Sequence, residues 1–491
     1  MTSVATADLP AVDPGSVPSD LFIGGKWTGA CTGRRIDVFN PSTEEKIATV
    51  ADASVEDGIA AVEAAAAAAE GWASTPPRKR AEILRRAFEL MMARADWLAE
   101  LISIENGKAL ADARGEVNYA AEFFRWYAEE AVRINGEISI APSGANRIIV
   151  QYQPVGVSVL VTPWNFPAAM ATRKIGPALA AGCTCILKPA TETPLTAFAM
   201  AAILAEAGVP AGVVNVITTS SPGPVIGALL HDPRVRKLSF TGSTGVGRQL
   251  LREAADCVVN CSMELGGNAP FIVFDDADID AAVDGAMIAK MRNGGEACTA
   301  ANRFYVHEAV HQNFAEKLSA RMKAVSVGDG WLPATACGPL VNAPSLRKVS
   351  EFVDDAVARG AKVLTGGKKL DRKGFFYMPT VLADVAPDSK LLHDEIFGPV
   401  AALVRFKDDD EVVRLANDTE YGLVSYVYTQ NFARGMRIAE RLDAGMVALN
   451  RGLVSDPAAP FGGMKQSGLG REGAHHGLLE FTEAKYVATS W

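Results

Sequence analysis

The chain has little cysteine, little histidine and no surplus of positive charge, and each shortage excludes something. Seven cysteines among 491 residues, an odd number without framework spacing, argue against a disulfide-built scaffold and fit a reducing compartment. The six histidines form no convincing metal set with them. A net charge of −9 disfavours nucleic acid or an anionic membrane as partner, although it leaves room for an anionic small molecule held by local arginines. No uninterrupted apolar run approaches the ~20 residues of a membrane span. No basic residue precedes Lys26, so the start resembles neither a secretory signal nor a mitochondrial presequence, and a cytoplasmic protein is expected. Internal repeats are absent as well.

What is present is an ordinary globular composition, 49% hydrophobic and 21% charged, in a chain too long for one core. Residues 1–19, rich in Ala, Pro, Ser and Asp, read as disordered. Short strands follow over Leu21 to Val50. Ser54-x-x-Asp57 opens an alanine-rich helix to about Trp72. Apolar residues then recur at helical spacing from about Arg78 to Ile134, with breaks near Gly107 and Gly115. Glu137 to Ala141 and Asn146 to Gln153 read as a hairpin around Pro142-Ser143-Gly144-Ala145. From Val155 short apolar strands alternate with helices: Val157–Val161, Cys183–Leu187, Val213–Ile217 and Leu238–Phe240 predict a parallel sheet. A second α/β run extends from Phe271 to about Leu449, entered through an acidic turn, Asp275 to Asp280, that reads as a helix cap.

The chemistry-bearing stretches fall at the ends of these strands, where open parallel sheets bind ligands. Asn293-Gly-Gly-Glu-Ala-Cys298-Thr-Ala-Ala-Asn-Arg303 sets one cysteine among small and polar residues. That suits a thiol facing a cleft, the competing reading being a buried loop cysteine. Phe240-Thr-Gly-Ser-Thr-Gly-Val-Gly247 is a strand, a glycine-rich turn and a helix start, a seat for phosphate, with Gly242, Gly245 and Gly247 exposing backbone N–H groups. Lys188 closes an apolar strand. Glu264 lies between Met263 and Leu265, where partial desolvation raises a carboxylate towards the range of a general base. Asn165, between Pro163 and Pro167, offers an amide to an oxyanion. A nucleophile, a base, an oxyanion donor and a phosphate seat together suggest acyl chemistry through a thioester with a nucleotide present. Trp126 and Tyr127 read as core. His307-Glu-Ala-Val-His311 matches a zinc peptidase pattern, but His307 falls at a strand end, with the helix starting near Glu308. Cys183 and Cys185 read as buried strand residues before metal ligands.

Pro163-Trp164-Asn165-Phe166-Pro167, the 240–247 turn, Met263-Glu264-Leu265-Gly266-Gly267, Cys298 in its loop, Glu395-Ile396-Phe397-Gly398-Pro399 and Phe461–Glu472 together resemble the aldehyde dehydrogenase superfamily from about residue 20 to the end. The resemblance implies an α/β fold of two Rossmann-like parallel-sheet domains with a β-hairpin oligomerisation arm. The cofactor domain would comprise 20–136 and 154–264, and the catalytic domain 265–450. Residues 451–475 would return to the active-site mouth, and 137–153 with 476–491 would form the arm of a homodimer or homotetramer. It also implies that Cys298 attacks an aldehyde and Asn165 holds the oxyanion with the Cys298 backbone N–H. Hydride then passes to a nicotinamide, and Glu264 activates water against the thioester. Trp164, Lys188, Ser243, Leu265, Glu395 and Phe397 would bind the cofactor, with Gly242 and Gly247 shaping the phosphate turn.

Ala171-Thr172-Arg173-Lys174, Met291-Arg292-Asn293 and Gly452-Leu453-Val454-Ser455 resemble the succinate-semialdehyde branch, in which Arg173, Arg292 and Ser455 would hold a distal carboxylate. Either arginine could instead pair with a structural acid. Thr191 stands where NAD-preferring relatives often carry Glu, which implies NADP as the favoured cofactor with NAD possible; Glu192 beside it is the competing influence. Two departures from the branch stand out. Ala300 replaces the second cysteine of a redox switch, so no such switch is expected, and Glu296 replaces the usual Gln and is expected to point away from the pocket. Glutarate semialdehyde, one methylene longer, is a second substrate reading, and a non-catalytic protein keeping the fold is a third.

Overall fold

The computed structural model describes residues 12–491. Its first large sheet has eight strands. Five parallel ones form the middle, in spatial order Asn260–Glu264, Val235–Thr241, Val157–Val161, Cys185–Lys188 and Val214–Val216. Antiparallel strands close both edges, Gly468–Leu469 on one side, Leu21–Ile23 and Lys26–Thr28 on the other. The second sheet has seven strands, ordered Lys362–Thr365, Thr380–Ala383, Val400–Phe406, Ala301–His307, Ala269–Val273, Val424–Tyr428 and Met446–Leu449, all parallel except the first pair. Val157–Val161, Ala269–Val273 and Val424–Tyr428 are buried along their whole length, as helices on both faces require. A three-stranded antiparallel sheet stands apart from both. The hairpin Glu137–Ile140 and Arg147–Pro154 accepts the C-terminal strand Thr482–Thr489 against its second strand.

Several local expectations are corrected by packing. Residues 1–11 lie outside the described residues, but 12–19 are ordered: Val12 and Val17 are buried in the main core and Asp13 caps a short 3-10 turn. Gly115 does not break its helix, which runs Leu110–Glu130; the glycine sits on the open face with nothing near it, so only its modest helix-propensity cost remains. Gly107 does end a helix, Ala95–Asn106, at φ 92°. The strand expected over Cys257–Cys261 starts at Asn260 and ends on Glu264, because Val258 takes a left-handed turn at φ 52°. That shift puts the Glu264 carboxylate at the ligand-binding end of the sheet. Cys183 precedes its strand, which begins at Cys185, and both thiols are buried.

Two helices that flank the central strands, Pro167–Ala181 and Pro194–Ala207, begin with proline and have no capping side chain of their own. Their free N–H groups are taken by buried glutamates from far upstream. Glu116 Oε1 accepts from Ala168 N at 2.8 Å and Ala169 N at 3.2 Å. Glu105 accepts from Leu195 N and Thr196 N, both at 2.9 Å. A carboxylate suits this place because it meets the positive end of the helix dipole and satisfies two donors at once. Glu105→Ala is expected to lower stability by roughly 1–3 kcal/mol, the cost of stranding buried donors, and Glu105→Gln by less. Equal denaturation midpoints for wild type and Glu105→Ala would contradict the capping role.

Candidate active site

The strand ends of the two large sheets face each other across one cleft of about 240 Å³. From the second sheet comes the loop that carries Cys298. Helix Ile279–Met291 stops, and Asn293, Gly294 and Gly295 follow with φ of 54°, 59° and 80°. Gly295 has no room for a side chain: a Cβ there would lie 2.2 Å from the Gly398 carbonyl. The reversal presents Cys298, half-buried, on the cleft wall just before strand Ala301–His307. From the first sheet comes Asn165, held between Pro163 and Pro167 after strand Val157–Val161. Its Nδ2 donates to the Glu296 carbonyl at 3.0 Å, and the amide's other N–H remains for a ligand. Glu264 is buried and does not reach the cleft wall. Its Oε2 has no hydrogen-bond partner, and Gly462 lies so close that a Cβ there would sit 2.9 Å from Oε1.

At one end of the cleft, Arg292 Nη1 donates to Ser455 Oγ at 3.2 Å. Its guanidinium lies 4.8 Å above the Phe166 ring and 5.7 Å from that of Tyr119, and it has no carboxylate partner among the described residues. Arg173 also faces the cleft but is fully buried against Glu472, which Lys174 Nζ meets at 2.6 Å, and it stacks on Phe461 at 4.3 Å. The structural pairing considered for the arginines therefore applies to Arg173 and not to Arg292. Tyr119, Met170 and Phe461 complete this end. Tyr119 and Met170 carry no sequence motif, and Phe461 heads the C-terminal motif without a site role read from it. Tyr119 is one polar ring on a long amphipathic helix, with no local signal to separate it from the core aromatics Phe123 and Tyr127.

At the other end stand Trp164, Gly242, Ser243, Leu265, Glu395 and Phe397. Ser243 caps helix Thr244–Ala255, leaving backbone N–H groups at an open helix start. Gly242 packs under Phe240, where a Cβ would be 2.5 Å from the ring, and Gly247 packs against Leu265 at 2.4 Å, so the helix can lie close to the sheet. Glu395 Oε1 accepts from Gly267 N at 3.1 Å; Phe397, at φ 55°, turns its ring edge-on to Trp164 at 5.3 Å. Gly247 and Lys188 are not on the wall, and the N–H groups expected to be exposed at Gly242 and Gly247 donate instead to the Glu264 and Ser243 carbonyls at 3.1 Å and 3.0 Å. Lys188 is buried below it, with its ammonium disfavoured by burial and partly restored by Glu192. Thr191 and Glu192 line a neighbouring depression with Asn342 and Ser220. A helix start with free N–H groups, a close-packed glycine turn and a carboxylate on the wall beside aromatic and aliphatic side chains are what a dinucleotide needs, and the residues present fit one.

His307 and His311 stand on different elements. His307 Nε2 binds the Lys407 carbonyl at 2.9 Å at a strand end, and the helix begins at His311 itself, later than Glu308.

The model of the aldehyde dehydrogenase family matches residues 27–487. The chain belongs to that family. A succinate-semialdehyde dehydrogenase of Paenarthrobacter nicotinovorans is 55% identical over 90% of this chain and 98% of its own. A glutarate-semialdehyde dehydrogenase of Pseudomonas putida is 50% identical over 96% and 97%. The crystal structure of an E. coli NADP dependent enzyme, 48% identical, superposes with a TM-score of 0.95 over 97% of this chain and 98% of that one.

In this aldehyde dehydrogenase the resting charges are held back. Burial pushes the Cys298 thiol up to about 12, with Arg173 opposing. Burial also raises Glu264 well above the carboxylate range, Glu472 pushing the same way and Arg173 against. Glu296 turns from the cleft as expected, its Oε1 accepting from Val341 N at 3.2 Å, and burial raises it to about 8. Between an unfolded carboxyl's ordinary pKa and about 8, native Glu296 keeps a proton that the unfolded chain has lost, so stability falls as pH rises through that window. Glu296→Gln removes this loss. Its thermal midpoint is expected to exceed wild type by more at about pH 9 than at about pH 5. A pH-independent difference in melts at the two values would contradict the assignment.

Proposed function

We infer that this enzyme oxidises succinic semialdehyde to succinate, with NADP preferred over NAD. The observation that carries the reading is Arg292. It is a cation without an acid partner among the described residues, bonded to Ser455 and held over aromatic rings in the same small cleft as Cys298. A short aldehyde bearing a distal carboxylate satisfies both ends of that cleft. The carboxylate takes charge-assisted bonds from Arg292 and the Ser455 hydroxyl, and Arg173 adds field from beside Glu472.

Cys298 Sγ, once deprotonated, adds to the aldehyde carbon. The oxyanion formed accepts from Asn165 Nδ2–H and the Cys298 backbone N–H. What the dinucleotide supplies when bound is a hydride acceptor beside that carbon. Loss of hydride leaves a thioester on Cys298. Glu264, once ionised, swings toward the cleft, losing no hydrogen bond at Oε2, and its carboxylate takes a proton from the water that attacks the thioester. Trp164, Leu265 and Phe397 would wall the nicotinamide end, Glu395 would hold its ribose, and Ser243 at the helix start would receive the pyrophosphate, with Gly242 and Gly247 allowing the close packing of that turn. Lys188 and Thr191 serve the adenosine ribose. Thr191 leaves space for a 2′-phosphate, and Glu192 is drawn aside: its Oε1 meets Asn342 Nδ2 at 3.4 Å and its Oε2 the Thr191 hydroxyl at 3.3 Å.

Glutarate semialdehyde is the second substrate to test. One methylene is worth only ~1–3 kcal/mol of discrimination, and a relative half identical to this chain bears that name. The seven free thiols suit a reducing cytoplasm. No described helix is long and apolar enough to cross a membrane. The edge strand Glu137–Ile140 leaves Ile138 and Ile140 70% and 59% exposed, and Tyr486 and Trp491, on the opposite edge strand and the tail that follows it, are exposed as well. Such a row of unpaired backbone and apolar side chains is the expected contact of a homodimer or homotetramer.

Two measurements test these readings. In initial-rate assays with succinic semialdehyde, Cys298→Ala is expected to abolish cofactor reduction and NADP⁺ to outperform NAD⁺. Arg292→Ala should raise KM by roughly 10–100-fold, the worth of a charge-assisted bond, while sparing uncharged aldehydes. An equal loss on both aldehyde classes would remove the carboxylate role. In sedimentation, Ile138→Glu/Ile140→Glu should yield a smaller assembly than wild type; unchanged mass would place the interface elsewhere.

A further inference from the structure

Behind the oxyanion amide lies a set of buried charges that the reaction itself does not use. Lys108, 3% exposed, stands two residues before helix Leu110–Glu130. Its Nζ donates to Glu116 Oε2 at 2.5 Å and to the main-chain carbonyl of Asn165 at 2.6 Å, over the face of Phe166. Glu116 spends its other oxygen on the first N–H groups of helix Pro167–Ala181, the helix that Asn165 leads into. One turn earlier on the same helix, Asp112 Oδ2 accepts from Asn293 N at 2.9 Å. Asn293 is the left-handed residue at the base of the Cys298 loop, and its Nδ2 reaches both the Asn165 carbonyl at 2.8 Å and the Glu296 carbonyl at 3.0 Å.

We propose that Lys108, Asp112 and Glu116 are positioning residues that fix the Asn165 amide relative to the Cys298 loop, so that the oxyanion site exists before substrate arrives. The physical case is one of over-determination. Both lone pairs of the Asn165 carbonyl are taken, one by a cation anchored to the neighbouring helix and one by the nucleophile loop. The loop residue in the strained left-handed region is held by a carboxylate on its N–H. A donor displaced by about 1 Å loses much of its worth to a developing oxyanion, so rigid support shows in turnover more than in binding. Burial raises the Asp112 carboxyl, and Lys108, the Asn293 N–H and Arg292 oppose it, so the charges that face Asp112 include a member of the same set.

The inference rests on the oxyanion role given to Asn165, and the test separates the two. Lys108→Met alone would strand the Glu116 charge, so the variant used is Lys108→Met/Glu116→Gln, which keeps an oxygen for the helix N–H groups. Asp112→Ala is the second, independent variant. Each is measured as the full enzyme on its best aldehyde, alone and combined with Asn165→Ala. The expected result is a fall in kcat of about 10–100-fold for each, with aldehyde and cofactor KM within about twofold of wild type, and no further fall in the Asn165→Ala background. A structural role alone would lower the melting temperature and multiply with Asn165→Ala. Such multiplication, or wild-type kcat in a folded variant, overturns the proposal. If the double variant does not fold, the Asp112→Ala cycle decides by the same criteria. Full activity of Asn165→Ala itself would instead remove the oxyanion reading on which the proposal stands.

Discussion

One carbonyl joins the halves of this enzyme. The Glu296 oxygen accepts Asn165 Nδ2 from the first sheet and Asn293 Nδ2 from its own loop, both at 3.0 Å in a site closed to water. The two sheets meet at their strand ends, where backbone groups have run out of ladder partners. Every donor and acceptor there must be satisfied by side chains or by ligand. Asn165 does this with one N–H and keeps the other. The geometry is thus a remainder of the packing problem: among the groups the fold leaves unpaired here, the second Asn165 N–H is a donor available to an oxyanion.

The same economy governs charge. Arg173, Lys174 and Glu472 form a buried cluster in which the acid is held low by two cations, chiefly Arg173. A buried ion pair is costly to form and costlier to break. Arg173 is therefore committed to structure even though it faces the cleft, whereas Arg292 has no acid partner among the described residues and is free to meet a substrate anion directly. With the Cys298 thiol raised by burial, an anion drawn to Arg292 meets no thiolate beside it.

What could be read in the sequence was what the chain encodes locally. Glycines beside Cys298 mark a reversal that other residues resist; prolines on both sides of Asn165 mark a rigid turn; Ser243 after a glycine marks a helix start. Each is carried by a few adjacent residues, and the structure places each at a strand end. What could not be read was set by partners far along the chain. Glu472 meets Lys174 across 298 positions, so nothing near Arg173 betrays its pairing. Lys108, Asp112 and Glu116 look like charges on an ordinary amphipathic helix, and only burial shows that they hold two loops. Gly115 stays inside its helix because propensity is weak beside the packing of a long helix. The strand that ends on Glu264 starts later than its apolar pattern predicts because Val258 adopts a turn conformation rare for a branched residue.

The cofactor end is tied into the same scaffold by a group that sequence reasoning passed over. Lys290, fully buried at the end of helix Ile279–Met291, donates to the Gly398 carbonyl at 3.0 Å and to Asn302 Oδ1 at 2.7 Å. Burial brings its ammonium down to about 7, with Glu395 the opposing influence. Gly295 abuts that same Gly398 carbonyl. The segment that carries Glu395 and Phe397 and the loop that carries Cys298 therefore share one backbone contact, braced from below by a lysine. Neither can shift without the other. A cleft whose two ends must present a hydride acceptor and a nucleophile to one carbon needs that coupling, and a direct backbone contact supplies it with the fewest moving parts.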